Sequence, residues 1–92
     1  MSVTVLVPGP LAARLNGRSS IEIEASDLLT TLETLSRHCQ LDDGLLRDDR
    51  HLQRYVRVAV NGELVRARTP EDLQRVAVAG KTVEIAVALA GG

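Results

Sequence analysis

Aromatic side chains are almost missing from this sequence: Tyr55 stands alone, with no tryptophan or phenylalanine. A surface that stacks nucleic-acid bases on aromatic rings cannot be built from it. A cationic surplus is missing too, since 11 lysines and arginines face 12 aspartates and glutamates, for a formal net charge of -1. Nonspecific nucleic-acid binding draws on such a surplus to displace counterions, so no nucleic-acid partner is expected. Cys39 is the single cysteine, which excludes an internal disulfide and points to a reducing cytoplasm. No apolar run approaches the roughly 20 residues that a bilayer requires, and no basic-then-apolar leader opens the chain. No membrane association is expected.

What is present suits one small globular domain over residues 1–92, with 45% apolar and 25% charged residues. Val3, Val5 and Val7 alternate with Thr4 and Leu6, the period of a strand with one buried face. Pro8-Gly9-Pro10 ends it, and residues 10–19 read as a connection that Leu11 and Leu15 pin to the core. Ile21, Ile23 and Ala25 alternate with Ser20, Glu22 and Glu24, a second strand with an acidic outer face that pairs antiparallel with the first.

Ser26-Asp27 supplies a capping oxygen and then a carboxylate at a helix start. Leu28, Leu32, Leu35 and Cys39 follow at spacings of four, three and four, with Leu29 beside them, so an amphipathic helix is predicted over 27–40. Residues 41–54 read as a polar loop anchored by Leu41, Leu45, Leu46 and Leu52. Val56, Val58 and Val60 form a third strand, Asn61-Gly62 a tight hairpin turn, and Glu63–Arg66 a short return strand. Thr69-Pro70 caps one helical turn, Gly80-Lys81 turns the chain, and Val83, Ile85, Val87 and Leu89 line a last strand. Five strands and a single long helical stripe make a two-layer α+β domain, a mixed sheet packed on one helix.

That order is the β-grasp, or ubiquitin-like, arrangement, and the tail Leu89-Ala90-Gly91-Gly92 agrees with it. The chain resembles the MoaD/ThiS group of sulfur carriers along its whole length, through VTVLVP, VRVAVNGELVR and VEIAVALAGG. It is most similar to the longer carriers, such as the one serving thiocarboxylate-dependent cysteine synthesis. One departure is Gly80-Lys81, where these families usually carry Gly-Asp, which bears on partner charge preference. The resemblance implies that an E1-like enzyme spends ATP to adenylate the Gly92 carboxylate. A sulfur source then converts it to a thiocarboxylate, which a biosynthetic enzyme consumes. It implies a recyclable protein co-substrate with no bound cofactor, monomeric when free. Two related readings stay open: the small subunit of molybdopterin synthase, and a ubiquitin-like modifier joined to target lysines. A plain binding module with an inert tail is the third.

Glycine at the tail has its own physical reason. A carboxylate that must reach a buried ATP has to enter a narrow channel in extended form. Glycine's lack of a Cβ lets two backbones approach closely, so Gly91 and Ala90 govern access to Gly92. Cys39 shares the buried stripe, where a thiol behaves as a small hydrophobe, and His38 points about 100° away from it around the helix. Asp42, Asp43, Asp48 and Asp49 lack the ligand spacing of a calcium loop and are interrupted by Arg47 and Arg50, so no metal site is expected. Tyr55 and Arg57 are expected beside Ala59 on the outer face of the third strand. There a basic surface (Arg54, Arg57, Arg66, Arg68 and Arg75) suits an acidic partner. Ala86 and Ala88 are expected outward on the last strand, where small side chains leave room for a docking protein, in this family the activating enzyme.

Overall fold

The computed structural model describes residues 1–39 and 44–87. Strand β1 (Ser2–Leu6) pairs antiparallel with β2 (Ser20–Glu24), placing Val3 opposite Ile23. Between them lies more than the expected connection. Pro8 ends the ladder as the extended N-cap, Pro10 suits the first helical turn, and helix α1 (Gly9–Ala12) runs directly into a 3₁₀ turn (Ala13–Leu15). This short helical segment brings Leu11 and Leu15 to the same side, and both are buried.

Helix α2 (Leu28–Cys39) carries the long apolar stripe, with Leu28, Leu29, Leu32, Leu35 and Cys39 all buried. Its cap is Asp27 rather than Ser26: Asp27 Oδ1 accepts from the Thr30 N–H at 2.9 Å and Oδ2 from the Thr30 hydroxyl at 3.0 Å. Thr31 is buried within the stripe, where its hydroxyl donates to the Asp27 carbonyl at 2.9 Å and so carries no unpaired polar group inward. In the loop after α2, Leu45 and Leu52 are buried and Leu46 partly so, while Leu41 lies outside the described residues.

β3 (Val56–Val60) turns at Asn61 and Gly62, whose φ values of 50° and 85° are those the Asn-Gly dipeptide accepts readily. The return strand β4 (Glu63–Leu64) is two residues shorter than Glu63–Arg66, because the ladder ends at Leu64. The helical turn α3 (Pro70–Gln74) is capped by Thr69, whose hydroxyl accepts from the Asp72 N–H at 3.2 Å. β5 (Thr82–Val87) closes the sheet.

The strand order is β2-β1-β5-β3-β4, with β5 parallel to β1 and antiparallel to β3. Inward-facing Val3, Val5, Val56, Val58, Val83 and Ile85 meet the α2 stripe in one core. This is the β-grasp arrangement, and its consequence is positional: the last strand is the central one. The described core satisfies its polar groups, with no buried side-chain nitrogen or oxygen left unpartnered among the described residues.

Candidate functional site

A sheet covered by a helix on one face leaves the alternate residues of every strand on the other. On β5 those residues are Glu84 and Ala86, and on β3 they are Arg57 and Ala59. The antiparallel register sets Arg57 opposite Ala86 and Ala59 opposite Glu84. Leu64 on β4 stands opposite Ala59, and Leu6 on β1 beside Glu84. Because Ala59 and Ala86 end at Cβ, the surface sinks between their larger neighbours. A depression of about 210 Å³ forms there, lined by Arg57, Ala59, Leu64, Glu84 and Ala86. Leu64, 61% exposed, stands at its rim.

A second depression of about 320 Å³ lies on the β1 side, lined by Leu6, Val7, Pro8, Glu84, Ala86 and Val87. It sits where β1 has ended and β5 runs on for three more residues, since Leu6 pairs with Glu84 and β5 reaches Val87. The described residues end at Val87 on this central strand, whose Glu84 and Ala86 line both depressions. Gly92, Gly91, Ala90 and Ala88 lie outside the described residues, as does Leu89, the expected last inward residue of the strand.

Arg57 and Ala86 are brought together as the alternation requires, but Tyr55 is not with them. It precedes β3, and its hydroxyl donates to the Gly44 carbonyl at 3.3 Å, which ties the ring to the loop. There it lines a separate depression of about 320 Å³ with Arg47, Gln53 and Arg54. The Arg57 guanidinium is held close to the strand, donating to the Arg54 carbonyl at 2.7 Å and the Val56 carbonyl at 3.2 Å. Sequence reasoning missed Leu6, Leu64 and Glu84 as members of this face. Alternation alone marks Leu6 and Glu84 as outward, but only the strand order makes them neighbours.

Of the acidic loop, Asp42 and Asp43 lie outside the described residues, and Asp49 is ion-paired. Asp49 lies 3.7 Å from Arg47 and 3.3 Å from the His51 ring, and Arg50 reaches back to Glu33 on α2 at 3.1 Å. The His51 backbone N–H and the neighbouring cations hold the Asp49 carboxyl below its usual range. No group of three or more metal-ligating side chains converges among the described residues. No helix among the described residues is long and apolar enough to cross a membrane.

No family model matches the chain, and no curated protein does. Solved structures do. A chain of the Amycolatopsis orientalis BexX/CysO complex is 32% identical, with a TM-score of 0.76 over 98% of this chain and 99% of that one. SAMP1 from Haloferax volcanii is 21% identical, with a TM-score of 0.75 over 100% of both chains. CysO from Mycobacterium tuberculosis is 23% identical, with a TM-score of 0.65 over 95% of this chain and 99% of that one. The latter two share the fold. At 32% identity over nearly the full length of both chains, on a β-grasp sheet, the protein belongs to the MoaD/ThiS family of ubiquitin-like sulfur carriers.

Proposed function

We propose that this protein is a recyclable sulfur donor activated at Gly92, working in the cytoplasm as a co-substrate of other enzymes. One observation supports the reading above all: the last described strand is the central one, and its outward Ala86 lies with Ala59 on an open face of the sheet. An enzyme that seats on Ala59 and Ala86 has the tail within reach, and docking there sets the tail's register in the active site.

The chemistry needs an acyl group with a good leaving group. The Gly92 carboxylate attacks the α-phosphorus of ATP held by an E1-like adenylyltransferase, forming the acyl-adenylate and releasing pyrophosphate. Hydrosulfide then adds to the acyl carbon and displaces AMP, leaving a thiocarboxylate. A biosynthetic enzyme takes up that sulfur, and hydrolysis returns the carboxylate. Covalent activation thus splits one difficult displacement into two easier ones. The ATP belongs to the partner, and this chain supplies the carboxylate and the docking face.

The test is the intact mass of the protein after incubation with an E1-like adenylyltransferase, ATP and sulfide. Wild type is expected to gain the mass difference between sulfur and oxygen, located at Gly92. Deleting Gly92 withdraws the carboxylate from ATP, and Gly91→Val puts a branched Cβ into the channel, so both variants are expected to stay unloaded. The core side chains of β5 are Val83 and Ile85, upstream of both changes, so thermal unfolding is expected to be unaltered. A deletion variant that still gains sulfur would overturn the proposal. Conjugates of higher mass that survive reductant would instead identify a protein modifier.

A further inference from the structure

Glu84 lies at the middle of the open face. β5 is the central strand of five, and Glu84 is its third residue of six. Across the sheet the row runs Leu6, Glu84, Ala59, Leu64, a carboxylate framed by apolar side chains. Leu6 is 37% exposed and Leu64 61%, so the frame is open to a partner. The same carboxylate borders both depressions. Glu84 is exposed, and among the described residues its carboxylate forms no hydrogen bond or ion pair. The cation next along the sheet, Arg57, stands opposite Ala86, and its Nη1 donates to the Arg54 and Val56 carbonyls rather than to Glu84.

We propose that Glu84 sets the specificity of this face, and that the protein docking there presents an arginine or lysine side chain to its carboxylate. The inference rests on the docking role given to the face above. Its physical ground is desolvation. A protein that fills both depressions must also cover the carboxylate between them. A covered carboxylate without a counter-charge opposes binding, whereas a cation set against it offsets the loss and fixes orientation. At the centre of an interface such a pair selects partners more than it adds affinity, and a surface with a carboxylate at that point is rejected. A second copy of this chain fits the face poorly on the same ground: a two-fold contact centred on β5 sets Glu84 against Glu84.

The experiment uses the full chain and its cognate E1-like adenylyltransferase, with calorimetric Kd and loading kinetics measured separately. Glu84→Arg is expected to raise both Kd and the KM for the carrier about 100-fold or more, and Glu84→Gln about tenfold, with kcat at saturation unchanged. Both substitutions lie at an exposed strand position, and unchanged thermal unfolding shows that the fold survives. Kd within about twofold of wild type for both folded variants would overturn the inference. So would self-association of Glu84→Gln at unchanged Kd, which would assign the carboxylate to keeping copies apart. A wild type that binds but gains no sulfur defeats the activation chemistry alone, since the Kd comparison still decides the role of Glu84. A wild type that does not bind defeats both.

Discussion

Cys39 lies in the same buried row of α2 as Leu28, Leu32 and Leu35, and burial pushes its thiol up while the Arg14 charge pulls it partly back. The nucleophile of cysteine chemistry is the thiolate, which this environment disfavours. Cys39→Ala is therefore expected to leave sulfur loading at Gly92 intact and to cost about 1–2 kcal/mol for the cavity, read by urea unfolding. A folded variant that no longer loads would show that the thiol takes part. The pH dependence has a definite sign. With the folded value raised, the neutral thiol's contribution is full below the unfolded cysteine pKa and is lost as pH rises through the folded one. Wild type is expected to lose stability above about pH 8.5 by a component that Cys39→Ala lacks.

At the scale of elements, caps and turns decide where each segment begins. Asp27 satisfies the first turn of α2 with two oxygens on Thr30, so Asp27→Ala is expected to cost about 0.5–2 kcal/mol, measured by denaturant unfolding. Ser26→Ala is the control, expected to change stability little, and a larger loss for it than for Asp27→Ala would return the cap to Ser26. Both residues are capping types, so the sequence places the helix start to within a residue and leaves the choice to geometry. The stretch 10–19 shows the opposite case. Its one-turn helix is too short for a periodic signal, and what holds it is the burial of Leu11 and Leu15 against elements distant in sequence.

For the whole molecule, the outer face is divided by charge. Glu22 and Glu24 lie outward on β2 at one edge, and Arg57 lies toward the other. If that division steers the encounter with an acidic partner surface, reversing one charge changes the on-rate more than the complex itself. Arg57→Glu is expected to slow loading several-fold at low ionic strength, with the difference shrinking as salt rises. A loading rate equal to wild type across ionic strengths would make Arg57 an ordinary solvated residue.

The sequence by itself determined the repeating elements, the buried face of each, the Asn61-Gly62 turn and the family resemblance. Backbone geometry makes these local: a strand repeats every two residues and a helix every 3.6, and both periods are visible in any short window. Local sequence marks the two hairpins, and tertiary structure decided how they join through β5. Pairing β1 in parallel with β5 is a contact between opposite ends of the chain, and no local period encodes it. That pairing makes β5 central, sets Leu6, Glu84, Ala59 and Leu64 in one row, and creates the depressions beside Ala86. The hydrogen bond of Tyr55 to the Gly44 carbonyl is likewise a tertiary contact, between residues eleven apart, that no local period encodes. Side-chain direction follows from residues two apart, but side-chain company follows from the packing of the whole core.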